Sequence, residues 1–378
     1  MRRFAMTAVS AVAVLVSPLA LASASSADPA FSMRAQVLQV GLDELVKDTL
    51  VPGAQLVLTE HGTDIQINSG VGDVATGAAF PDNAQVRIAS NTKAFVATVV
   101  LQLVAEHRVE LDAALERYLP GRVYGPGGDG RVITVRNLLQ HTSGIPNYLA
   151  YLDLGSADAL RRSRPADELI RLGLDHPAEF TPGSAFGYSN TNYLLAGELI
   201  ERVTGSSVSV EITRRILVPL GLGHTYWPLF PVENVIRQPH PRGYHNFGGT
   251  RVDITDIDPG WGLSDGALVS TGADLNRFFM ALVSGRLLPP EVQTEMMHTI
   301  PANEPARPRE AGLGLFRRIN SCGMETWGHG GAMNGFLVFG AATTDRAVTV
   351  STNELTGFLV MGVYLGAMNA LVDAALCG

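Results

Sequence analysis

An α+β fold is predicted by this 378-residue sequence: one antiparallel sheet drawn from both chain ends and flanked by helices, with a mostly helical lobe beside it. Three observations lead there. Strand-like runs rich in β-branched residues sit near the two ends, AQLVLTEHGTDIQINSGVG from Ala54 and FLVFGAATTDRAVTVSTNE from Phe336. A helix-like stretch lies outside each, MRAQVLQVGLDELVKD before the first and GFLVMGVYLGAMNALVDAAL after the second. Between them run helices and Gly/Pro-punctuated loops, among them YGPGGDG (Tyr124 to Gly130) and PHPRGYHNFGGT (Pro239 to Thr250), without an internal repeat.

The elements follow in chain order. Arg2 and Arg3, an apolar stretch from Phe4 to Leu21 broken by Pro18, and small residues up to Ala27 read as an export signal over residues 1–27, with an uncleaved membrane anchor as the competing reading. The remaining residues 28–378 form one two-lobed unit, a sheet lobe over 30–89 and 310–378 and a mainly helical lobe over 90–309. The first strand pair turns at His61-Gly62. QVRIA then leads into the apolar helix FVATVVLQLVAEH, which puts Ser90 at a helix N-terminus, where free amides favour developing negative charge. In FGYSNTNYLLAGELIERVTG a loop feeds a helix that starts near Asn190 or Thr191. The second strand pair turns at Thr344-Asp345, and Asn369 and Asp373 interrupt the terminal apolar helix, which favours a core helix over a bilayer span.

Composition narrows the function. A net charge of -8 and scattered arginines exclude a nucleic-acid partner. Cys322 and Cys377 are the two cysteines, a disulfide if the chain is exported and otherwise two buried thiols. No His/Cys spacing resembles a zinc site and no cofactor is expected; HPRGYH (His240 to His245) lacks a helical pattern. The chain writes its cations as arginine except at Lys47 and Lys93, and Lys93 stands three positions after Ser90. An amine can give up a proton where a guanidinium cannot, and one helical turn makes the two side chains neighbours, a spacing that activates a serine nucleophile. Tyr188-Ser189-Asn190 and His329-Gly330-Gly331, the latter leading into a strand, are each weak alone, since Tyr-x-Asn suits turns and glycine runs suit bends.

In this order the three motifs resemble those of the serine hydrolases of the penicillin-binding and class C β-lactamase-like superfamily, Ser-x-x-Lys, Tyr-x-Asn and Lys/His-x-Gly. LLQHTSGIPNY, PGSAFGYSNTNY and GALVSTGADLNRFF are similar to its connecting segments, and INSCG, WGHGG and the terminal LCG to its secreted, soluble D-alanyl-D-alanine carboxypeptidase/transpeptidases. The resemblance implies a Cys322–Cys377 bridge and an acyl-enzyme on Ser90. Lys93 and Tyr188 would take the serine proton, Asn190 would hold the substrate amide and orient Lys93, and the backbone amides of Ser90 and Ala332 would form the oxyanion hole. A charged Lys93, joined by His329 if that ring carries a proton, would make Tyr188 the better acceptor. Trp261 occupies the place of an aromatic pocket wall, or is a buried structural tryptophan. A small peptide or peptidoglycan-like substrate and β-lactams are the implied partners.

The sequence also departs from the carboxypeptidases. Where they carry two threonines and an arginine that bind the substrate's terminal carboxylate, this chain has Gly330, Ala332 and Phe316; Arg318, on the same strand face as Phe316, would compensate. A His-Gly-Gly third motif is similar to D-aminopeptidases and some esterases of the superfamily. Two rivals complete the reading. Gly262-Leu263-Ser264-Asp265-Gly266 matches the Gly-x-Ser-x-Gly elbow, but DPGW precedes it and the strand-like ALVST follows where a helix is required. A slow protein that traps β-lactams as stable adducts has the same reactive groups.

Overall fold

The structure, a computed structural model, describes residues 29–229, 233–257, 263–302, 309–355 and 358–378. The export segment and Trp261 lie outside the described residues. A nine-stranded sheet dominates. Its strands are β1 (Gly53–Glu60), β2 (Thr63–Asp73), β3 (Ala78–Ala79), β4 (Ile300–Pro301), β5 (Glu310–Ala311), β6 (Phe316–Ile319), β7 (Glu325–Met333), β8 (Phe336–Ala342) and β9 (Arg346–Thr352). They lie in the order β3-β2-β1-β9-β8-β7-β6-β5-β4. The two chain ends therefore meet in the antiparallel β1–β9 pair, with Ala54 opposite Thr352.

Turn chemistry sets the registers. His61 and Gly62 both have positive φ, 51° and 78°, as a two-residue hairpin between Glu60 and Thr63 requires. The β8–β9 turn is closed by the Thr343 amide on the Arg346 carbonyl at 2.9 Å, and the Thr343 hydroxyl donates to Asp345 Oδ1 at 2.7 Å.

Helices α1 (Pro29–Thr49) and α5 (Phe358–Cys377) cover one face of the sheet. Leu38, Leu42 and Leu45 of α1 recur at helical spacing and pack with Tyr364, Met368 and Leu371 of α5 on Leu56, Leu58, Val348 and Val350. The Cys322–Cys377 disulfide, Cα to Cα 6.0 Å, ties the β6–β7 turn to the end of α5. Asp373 of α5 takes the Ser321 amide at 3.0 Å and the guanidinium of Arg318. No described helix is long and apolar enough to cross a membrane.

The other face carries α4 (Gly272–Val283) and, beyond it, the larger core of the middle region, where Phe95 stacks on Phe278 with ring centroids 3.6 Å apart. The segment of α4 falls within the residues expected to form the helical lobe, yet it packs on the sheet. Asn276 Nδ2 donates to the Val57 carbonyl at 2.8 Å and to Thr59 Oγ1 at 3.0 Å, while its Oδ1 accepts from Thr349 Oγ1 at 2.7 Å. Covered on both sides, β1 is buried nearly throughout instead of alternating with exposed positions.

The middle region is also less purely helical than expected. Residues 244–247 and 250–253 form a hairpin around Gly248 and Gly249, extended by 354–355, and 86–87 pair with 269–270. PHPRGYHNFGGT reads as loop because strands of four residues show little alternation, although its Gly-Gly pair is a hairpin signal. The sheet also starts earlier than residue 310, at Ile300 in β4.

Candidate active site

Ser90 lies in a single 3-10 turn, Ala89–Asn91, between residues 86–87 and helix α2 (Thr92–Ala105). Ala89 holds φ at 47°, a conformation costing a non-glycine residue about 1–3 kcal/mol, and persists because its surroundings fix the turn. Asn91 Nδ2 donates to the carbonyls of Ile88 at 2.8 Å and Val338 at 3.1 Å, tying the turn to β8. Because α2 is apolar around most of its circumference it is buried on all sides, and Lys93 with it, at 0% exposure.

From that position Lys93 Nζ donates to Ser90 Oγ at 3.0 Å, to Asn190 Oδ1 at 2.6 Å and to the main-chain oxygen of Asp265 at 2.6 Å. An ammonium has three N–H groups and no acceptor, so these oxygens complete its bonding. Asn190 opens helix α3 (Asn190–Thr204), and its side chain and backbone amide both reach Asn147 Oδ1, at 3.2 and 3.3 Å. Tyr188 stands two residues earlier, its ring centroid 5.2 Å from Lys93 Nζ and 6.3 Å from the His329 ring. The structure thus gathers Ser90, Lys93, Tyr188, Asn190 and His329 from three distant stretches of chain.

The alternation of β7 sorts the third motif. Gly331 faces the nucleophile: a Cβ there would lie 2.1 Å from the Ile88 carbonyl oxygen and 3.0 Å from the Ser90 amide nitrogen. Gly330 faces the α5 side, where a Cβ would meet the Phe339 ring at 3.1 Å. Ala332 is exposed, and since β6 pairs with β7 only over Glu325–Gly328, residues 329–333 present an open strand edge among the described residues. A cavity of about 190 Å³ on the α5 side of β7 touches His329 and Gly330 but not Ser90.

Two expectations need correction. His329 is not a second cation: burial, then the charges of Lys93 and Arg309, hold it well below the usual histidine range. Its Nδ1 lies 2.6 Å from the Gly330 carbonyl, which assigns the proton of the neutral ring to that nitrogen. Arg318 does not replace the missing clamp either, because Asp373 holds its guanidinium on the α5 side. Phe316 lies 5.1 Å from the His329 ring, under the guanidinium of Arg309 at 3.5 Å. The rival nucleophile Ser264 is 5% exposed and packed against Gly197 of α3, followed by the strand at 269–270 and not by a helix.

Residue reasoning missed His141, Asn147, Tyr148 and Asp265. The His141 ring packs tilted against Tyr188 with centroids 4.3 Å apart, and its Nδ1 accepts the Ser189 amide at 3.2 Å. Burial, then the charges of Lys93 and Arg309, keep it uncharged. Tyr148 donates to Asp265 Oδ2 at 2.8 Å. The first three sit in LLQHTSGIPNY, whose likeness to the superfamily was the available signal, whereas Asp265 was hidden inside the Gly-x-Ser-x-Gly decoy. Among the described residues no group of three or more His, Cys, Asp or Glu is placed to hold a metal ion.

The sequence model of the Beta-lactamase family matches residues 42–360. The chain belongs to that family. Among solved structures it is similar to a D-stereospecific amidohydrolase from Streptomyces sp., 34% identical with TM-score 0.78, covering 85% of this chain and 94% of that one. It is also similar to the D-amino acid amidase of Ochrobactrum anthropi SV3, 30% identical with TM-score 0.79, covering 91% of this chain and 97% of that one. Esterase EstB of Burkholderia gladioli is 33% identical over 53% of this chain and 54% of its own length. The chain spans about half the length of the curated relatives it matches. Family membership fixes the fold and the superfamily, and leaves the activity and the substrate open.

Proposed function

We propose that the protein is a D-stereospecific serine amidohydrolase working through an acyl-enzyme on Ser90, and that residues 1–27 direct its export. The observation that carries the reading is the Lys93 ammonium bonded to Ser90 Oγ at 3.0 Å and to Asn190 at 2.6 Å, with Tyr188 alongside. Ser90 Oγ would attack the amide carbonyl and pass its proton to the phenolate oxygen of Tyr188, since the Lys93 ammonium has no lone pair to receive it. The amides of Ser90 and Ala332 would receive the oxyanion, each donor worth about 3 kcal/mol, while the substrate backbone lies along the open edge of β7. Tyr188 would return the proton to the leaving amine, and water, activated in the same way, would release the D-amino acid.

Phe316, Gly330 and Ala332 stand where a free carboxylate would need an arginine and hydroxyls, and Arg318 is engaged elsewhere. This favours amides and esters over a D-Ala-D-Ala terminus, in keeping with the two D-specific structural neighbours and the esterase. One observation supports the narrower carboxypeptidase activity on peptidoglycan-like peptides: the Arg309 guanidinium over Phe316 brings a cation beside His329 from a different part of the chain. Rates on D-phenylalanine amide, its L isomer, a short-chain ester and acyl-D-Ala-D-Ala test the proposal. The D-amide should turn over at least about tenfold faster than the L-amide and faster than the dipeptide, since loss of a polar partner costs about 1–3 kcal/mol. A dipeptide that outruns the D-amide makes the enzyme a carboxypeptidase, and inertness toward both D substrates refutes the proposal.

A further inference from the structure

We infer that Asp265 is a positioning residue for the nucleophile: its buried carboxylate, anchored by Tyr148, holds Lys93 charged and in its three-bonded place against Ser90. The inference rests on the acyl-enzyme reading of the Ser90 site. Asp265 is 4% exposed. Its Oδ2 accepts the Tyr148 hydroxyl at 2.8 Å, its main-chain oxygen accepts Lys93 Nζ at 2.6 Å, and its Oδ1 is buried without a hydrogen-bond partner among the described residues. A half-bonded carboxylate in such a place is costly unless a cation stands beside it. Lys93 is that cation. Burial lifts the Asp265 carboxyl above its ordinary value, and the charge of Lys93 pulls it back down.

The other groups that face this pair do not replace the anion. Tyr188 and Tyr193 present ring faces to Lys93, 5.2 and 5.6 Å from Nζ, and Tyr148 serves as a donor to Asp265. His141 and His329 are uncharged, and Arg309, over the Phe316 ring, adds positive charge. With a negative charge at Asp265, Lys93 keeps its three donors aimed at Ser90, Asn190 and the Asp265 main chain, and Tyr188 is left to receive the Ser90 proton. Without it, the surroundings of the nucleophile lose one negative charge, which favours the unprotonated form of the active-site base.

The pH dependence of Ser90 phosphonylation by a fluorophosphonate tests this without any D-aminoacyl group. The Ser90 oxygen bonds to phosphorus, fluoride leaves, and the serine proton passes to the active-site base. In Asp265→Asn the acid limb of the rate profile should move to lower pH by about one unit, the order expected for removing one charge near an ionisable pair. In Tyr148→Phe, which deletes one oxygen and is the more conservative change for folding, the shift should have the same sign and be smaller, because Oδ2 loses the bond that favours its charged form. A uniform fall in rate with an unmoved acid limb in the variants that fold overturns the inference and makes Asp265 a structural residue. Failure of the wild type to label at Ser90 refutes the acyl-enzyme reading itself, whereas labelling with the expected shift in a protein inert to D-amides refutes the proposed substrate alone.

Discussion

At Lys93 one nitrogen holds together α2, the start of α3 and the turn carrying Asp265. Ser90→Ala removes the attacking oxygen, so kcat should fall by at least about 10⁴ while the melting temperature stays within a few degrees of wild type. The two glycines of the third motif should respond differently. In Gly331→Ala the new Cβ meets backbone, the Ile88 carbonyl at 2.1 Å, and the strand must retreat from Ser90. A displacement approaching 1 Å costs about 100-fold, so kcat/KM should drop on that order. Gly330→Ala meets the Phe339 ring at 3.1 Å, a side chain that can turn, and kcat/KM should change by less than about tenfold. Equal losses in the two variants would contradict the assignment of Gly331 to the catalytic face.

At the scale of elements, α5 and α4 seal the two faces of the sheet by different means. The disulfide closing a span of 55 residues ties α5 down, and Cys322→Ser with Cys377→Ser should lower the unfolding free energy in urea by about 4 kcal/mol while folded protein keeps its activity. On the other face Asn276→Ala would leave the buried hydroxyl of Thr349 without its acceptor and take a second donor from the Val57 carbonyl, a loss of about 1–3 kcal/mol by the same measurement. These elements also show what sequence conveys. The hairpin at His61-Gly62 follows from local turn chemistry and the start of α3 at Asn190 from the change of loop into helical pattern, and the structure agrees with both. The seat of α4 was not legible, because a buried asparagine between two strands is locally indistinguishable from one at a helix surface.

For the whole molecule, the balance of buried charge sets the pH range of stability. His141 and His329 are held uncharged in the fold by burial first and by Lys93 next, while unfolded histidines take up protons near pH 6.5. Below that pH the unfolded chain binds more protons, so stability falls as pH drops, by about 1.4 kcal/mol per unit for each ring as long as the folded form resists protonation. The lifted carboxyls of Asp265 and Glu354 act with the opposite sign in acid and temper the loss. Urea titrations at pH 7.5 and 5.5 should therefore show the protein weaker at the lower value, and equal stability would contradict the neutral assignment of both rings. The site was legible where function restricts residue type, as at Ser90, Lys93 and Tyr188; it was not where a residue acts by touching another, as Asp265 does through Lys93. Acid quench of the enzyme turning over a D-aminoacyl ester, with the modified residue mapped by mass spectrometry, tests the central claim most directly. The acyl group should be found on Ser90; its appearance on Ser264, or steady turnover that never leaves an adduct, would contradict the account.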